Sequence, residues 1–224
     1  MFVAYIIWFA VFISVFAISY LIMEAKIPYN MKIFANTAYY VLSSTALSLS
    51  IKGILERYVN LQMLQLLALV AYVCITSCLA GKVNRYFPIP KRVIDKKESP
   101  YFFNFNRPFI ITKISDIIFQ QMMIMWLIAL LSADGLTSFW LIGVFALVFS
   151  VFHIPSIIKH KRYAMYFIGL SLVGGILMPF LIINFKSGIL YSFALHYTSY
   201  FAGRIGFSIY YSLRYKPQVQ QSLV

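Results

Sequence analysis

The chain has 224 residues, of which 62% are apolar and only 11% charged, and its mean hydropathy is +0.82. A soluble domain of this length needs far more polar surface to cover its core, so the composition excludes an ordinary water-soluble enzyme. The net charge is +13, but no compact basic domain stands apart from the apolar segments. That pattern speaks for basic loops at a membrane surface and against a nucleic-acid partner.

Windows of eighteen or more residues nearly free of charge are long enough to cross a hydrocarbon layer about 30 Å thick. An all-α, polytopic transmembrane bundle is therefore expected, with the lipid bilayer as its first partner. In chain order the expected spans are 2–23, 34–52, 61–80, 114–132, 135–157, 163–184 and 187–205. The first lacks a basic start and a small-residue cleavage site and reads as a retained helix rather than a signal peptide. The second, "NTAYYVLSSTALSLS", is rich in hydroxyls, which suit close helix packing in lipid. The third carries Cys74 and Cys78 one turn apart, with no further ligands nearby, and these read as packing residues. The aromatic stretch "YFFNFNRPFIITK" (101–113) reads as an interfacial anchor, or a substrate gate, ahead of the fourth span. In the sixth span, Gly169, Gly174, Gly175 and Pro179 predict close packing and a kink.

Seven spans put sixteen of the nineteen Lys and Arg residues in loops on one side, with Lys52, Arg57 and Lys186 on the other. By the positive-inside rule the C-terminus is cytoplasmic and the N-terminus outside. The chain divides into N-terminal helices with a basic loop (1–107), a core of helices (108–205) and a basic tail (206–224), all within one bundle.

Polar groups that hydrocarbon cannot satisfy are the candidate functional residues. "FQQMMIMW" (119–126) sets Gln120 and Gln121 inside the fourth span, with Asp116 one turn earlier on the Gln120 face. His153 closes the fifth span. His196 lies within the seventh, and Tyr200 follows it by one turn. At 1.5 Å per residue Gln120, His153 and His196 fall about 6 to 13 Å in from the same membrane face, with Asp116 at the entry of its span. They are expected to surround one wet cavity, or else to form separate interhelical hydrogen bonds. Asp116 also reads as an N-terminal acid of its helix, following Ser115. A set of His153, His196 and Asp116 has the composition of a hydrolytic metal site, such as zinc, with an open position. No other cofactor is expected. No charged pair or broken-helix repeat is visible in the core, which disfavours a solute transporter.

From Pro108 to Phe201 the order of these motifs resembles the CPBP family, the CAAX proteases and bacteriocin-processing (Abi) enzymes. The family signature is E-E-x-x-x-R on one helix, F-x-x-x-H on the next and H-x-x-x-N after another helix. Here "QQMMIM" places Gln120 and Gln121 where the glutamates stand and Met125 where the arginine stands. "FSVFH" keeps Phe149 and His153, and "HYTSY" keeps His196 with Tyr200 in the asparagine's place. The resemblance implies a CPBP protease-like core in which a membrane-embedded glutamate acts as general base on water and the histidines assist. A glutamine amide cannot take that proton at neutral pH, and loss of a general base costs about 10²–10⁴-fold in rate. Losing the arginine together with the glutamates avoids an unpaired buried charge. Two functions follow from the resemblance. The favoured one is a catalytically impaired relative that binds a peptide tail or another membrane protein as an adaptor or regulator. The alternative is an active intramembrane endopeptidase with a site rebuilt on His153, His196 and Asp116.

Overall fold

The computed structural model describes residues 2–59, 62–88, 107–154 and 164–214. All secondary structure among them is helical: α1 (Phe2–Glu24), α2 (Tyr29–Ser50), α3 (Lys52–Tyr58), α4 (Met63–Tyr86), α5 (Arg107–Ala133), α6 (Ser138–Val151), α7 (Ala164–Asn184) and α8 (Gly188–Arg214). Each of the seven predicted spans overlaps one of these helices, and α3 is additional. Helix α1, helix α4 and the Phe109–Ala133 part of α5 are long and apolar enough to cross a membrane, while α6 and the Ile168–Asn184 part of α7 are shorter apolar helices. The protein is a helical, multi-pass membrane protein.

Two boundaries differ from the sequence expectation in ways that bear on the site. Residues Arg107 to Lys113 are the first turns of α5 and not a separate interfacial element; residues 101–106 lie outside the described part. Asp116 consequently sits in the third turn of α5, too far from its start for N-terminal dipole stabilisation. Helix α6 ends at Val151, and His153 occupies the turn beyond it, its N–H bonded to the Ser150 carbonyl at 3.0 Å.

The α5 exit shows how local sequence stops a helix. Gly135 adopts φ +78°, its N–H reaches the Ser132 carbonyl at 3.1 Å, and the Leu136 N–H reaches Leu131 at 3.3 Å. This pair of bonds is a Schellman motif, and it requires the left-handed conformation that glycine reaches without strain. Leu136 then folds back against the core. At the start of α4, Gln62 and Gln65 form a reciprocal capping box. The Gln65 side-chain oxygen also accepts from Ser187 at 2.7 Å, fastening α4 to the segment before α8.

Helix α5 is the hub and touches all seven other described helices. Ile117, Phe119 and Ile128 on it are fully buried. On one side it meets an aromatic cluster: the Phe12 and Phe152 rings lie 4.5 Å apart, tilted at 42°, and Phe16 lies edge-on to Phe119 at 6.1 Å. The buried indole of Trp8 donates to the Met123 carbonyl at 2.8 Å, which gives a polar atom a partner where lipid offers none. Helices α6 and α7 approach closely because Gly175 has no side chain; a Cβ there would stand 2.9 Å from the Ala146 Cα. Cys74 and Cys78 are exposed on α4. They do not pack into the bundle as their apolar surroundings suggested, because no neighbour among the described residues buries that face of α4.

Candidate functional site

Helices α5, α6 and α8 bring the motif residues together around Phe149. Its ring lies 4.9 Å from that of His153 and 6.5 Å, edge-on, from that of His196. It also lines a narrow apolar crevice together with Gln120. Phe149 lies two residues before the end of α6 at Val151 and His153 two residues beyond it, so His153 comes back over the last helical turn and its Nδ1 hydrogen-bonds the Phe149 carbonyl at 2.7 Å.

Gln121 points inward and is buried. Its Oε1 accepts from the Ser192 hydroxyl at 2.8 Å, and its Nε2 donates to His196 Nδ1 at 3.3 Å. With the amide so oriented, the His196 proton stands on Nε2. Ser192 lies one helical turn before His196 and is fully buried. The sequence reading missed it; the signal was its i−4 spacing from His196 on α8, which puts both on one face. Gln120 takes a different partner and donates to Asp116 Oδ1 at 2.7 Å, as their one-turn separation on α5 predicted. The two adjacent glutamines therefore do not bond each other, because neighbouring residues on a helix point about 100° apart.

Lys113, also missed, completes the cluster. It forms an ion pair with Asp116, and its ammonium sits 4.5 Å from the centre of the Tyr200 ring. Tyr200 in turn stacks on His196 at 5.7 Å and 15°. The core thus holds a charged pair that the sequence expectation had placed nowhere. Cation, ring and carboxylate compensate one another, which is what allows a lysine to lie largely covered beside apolar helices. A continuous polar path runs from Ser192 through Gln121, His196, Tyr200 and Lys113 to Asp116 and Gln120.

The expected metal set fares differently. The Asp116 carboxylate is held by Lys113 and Gln120, and the Nδ1 atoms of His153 and His196 are engaged by Phe149 and Gln121. Among the described residues no three His, Cys, Asp or Glu side chains come together as a metal-holding group. Asp116, His153 and His196 do not form such a group in this structure. Met125, in the place of the family arginine, is buried in the apolar core.

No known protein family matches this chain, and neither does any curated protein or any solved structure.

Proposed function

We propose that this protein is a non-catalytic relative of the CPBP intramembrane proteases that works as an adaptor or regulator, binding a peptide tail or a segment of another membrane protein. The observation that carries the reading is the Gln121 amide, bonded at one end to Ser192 and at the other to His196. That is the position where the resemblance expects a carboxylate ready to accept a proton from water. An amide held at both ends orients its neighbours and moves no proton. Tyr200, in the place of an asparagine donor, lies flat against His196 and shields it. The crevice beside Gln120 is lined by Trp8, Phe12, Met123 and other apolar side chains and has space for about one water molecule, about 10 Å³. A hydrolytic site needs a wetter hollow. On this reading the polar cluster fastens α5 to α6 and α8, and the protein lies in the cytoplasmic membrane with its C-terminus inside, as its basic loops favour.

The test uses purified full-length protein in lipid nanodiscs with fluorogenic peptides that carry a membrane-anchoring C-terminal tail. The wild type, His153→Ala and His196→Ala are expected to release product at the same background rate. Turnover by the wild type that both substitutions abolish would establish the endopeptidase alternative instead. The triple substitution Gln120→Glu, Gln121→Glu, Met125→Arg restores the family motif; cleavage gained by a folded triple variant supports descent from the protease.

A further inference from the structure

A second void lies between α1, α2 and α5 at the Lys113–Asp116 end of the polar cluster, and its lining is more polar than that of the apolar crevice. It is about 20 Å³ in size, and the side chains around it include Ser19, Asn36, Tyr40, Thr112, Lys113 and Asp116. Asn36 is 5% exposed, and its Oδ1 has no hydrogen-bond partner among the described residues. A buried acceptor facing a void of this size is a site for one small donor, since a water molecule needs roughly 10–15 Å³ and two to four polar partners. We infer that this void holds one ordered water molecule that donates to Asn36 Oδ1 and joins helix α2 to the Lys113–Asp116 pair of α5.

Size and charge select water over other occupants. An organic molecule does not fit the volume. A metal cation would face the Lys113 ammonium across the same void, and hard cations take six or more oxygens in any case. The more polar lining also separates this void from the crevice beside Trp8, whose walls are apolar apart from Gln120, already bonded to Asp116, and offer a water few partners. The water extends a seam already present between these helices: Thr37 and Thr112 share a hydrogen bond of 2.6 Å, and Thr112 donates to the Ile33 carbonyl at 3.3 Å. The seam lies where α1 ends and α5 begins, at the same end of the bundle as Lys113.

X-ray radiolysis of the full chain in nanodiscs, with oxidation read by mass spectrometry, tests the inference because hydroxyl radicals form from bound water beside the side chains they attack. Tyr40 lines the void, and both Tyr40 and Tyr197 are buried, at 3% and 2% exposure. In the wild type, Tyr40 is expected to oxidise about fivefold or more faster than Tyr197, and Asn36→Leu, which removes the acceptor, is expected to abolish the difference. Equal rates in the wild type overturn the inference. So does a Tyr40 rate that falls when sodium replaces choline in the buffer, which would mean a cation in the void. Should Asn36→Leu fail to fold, the wild type decides alone: a density peak about 2.7–3.2 Å from Asn36 Oδ1 in a high-resolution structure supports the water, and a void without one overturns it.

Discussion

Helices α4 and α5 are 24 and 27 residues long, and each carries a stretch apolar enough to cross a bilayer. Yet 6% of that stretch is buried within the protein in α4 and 67% in α5. Hydropathy measures the preference for leaving water, and lipid and protein interior satisfy it equally well. What separates the two is the kind of polar residue each carries. Helix α5 holds Thr112, Lys113, Asp116, Gln120 and Gln121, groups that hydrocarbon cannot serve, so the rest of the chain must wrap it. Helix α4 keeps its amide and charged residues, Gln65, Lys82, Asn84 and Arg85, near its ends, and its middle carries hydroxyls that its own backbone can satisfy, as Thr76 does by donating to the Tyr72 carbonyl at 2.7 Å. It needs neighbours on one side only, where Ser77 and Tyr197 meet at 3.0 Å.

The largest expected effect sets the two helices directly against each other. Phe119→Ala removes a fully buried ring from α5 and is expected to cost about 3–5 kcal/mol of unfolding free energy. Leu64→Ala on α4 removes a side chain that is 78% exposed and is expected to change stability by less than about 0.5 kcal/mol. Reversible unfolding in bicelles measures both. Similar losses at the two positions would break the contrast and mean that α4 is covered in the native assembly.

The next effect tests whether the polar cluster is structural glue. Gln121→Leu strands the Ser192 hydroxyl and His196 Nδ1 inside the bundle and is expected to cost about 1–3 kcal/mol. Adding His196→Leu removes one stranded group, so the double variant should be less destabilised than the two single costs added together. Strict additivity would show that the two side chains do not share an interaction. A smaller comparison uses two glycines. Gly175→Ala forces a methyl against Ala146 and is expected to cost about 1 kcal/mol or more. Gly81→Ala on α4 meets nothing within 4 Å and should stabilise by about 0.5–1 kcal/mol, through helix propensity alone.

The same contrast explains what the sequence made legible. The helices were readable because charge-free length is a one-dimensional property, and all seven predicted spans coincide with a helix. The facing of Asp116 and Gln120 was readable because i,i+4 geometry is local. The partners across helices were not. Ser192 meets Gln121 and Lys113 meets Tyr200 through the packing of α8 on α5, which local spacing does not encode, although the steps from Ser192 to His196 and from Lys113 to Asp116 are themselves local. Asp116 was placed at a helix start because Ser115 and the polar "TKISD" resemble a cap. The described helix runs from Arg107, so 107–113, expected as part of an interfacial segment, are its first turns, and the aromatic residues 101–105 lie outside the described part. The cysteines of α4 were misjudged for the reason already given, that an apolar environment does not distinguish protein from lipid.

The smallest expected effect is the sharpest test of which environment α4 has. Cys74→Ala and Cys78→Ala should each leave stability within about 0.5 kcal/mol of the wild type, because neither thiol fills the bundle. A nitroxide attached at Cys74, with Cys78 replaced, then reports on the surroundings themselves. Oxygen concentrates in hydrocarbon and a charged nickel chelate stays in water, so collision with oxygen is expected to dominate the relaxation. Domination by nickel would mean that this face of α4 meets water, and α4 would not be a membrane-facing helix. Protection from both reagents would mean that another protein surface covers it, which is where a partner of an adaptor would first be found. Oxygen-dominated relaxation at Cys74 together with protection at a nitroxide placed on Ile124, buried on α5, would fix the difference between the two helices as one of neighbours rather than of hydrophobicity.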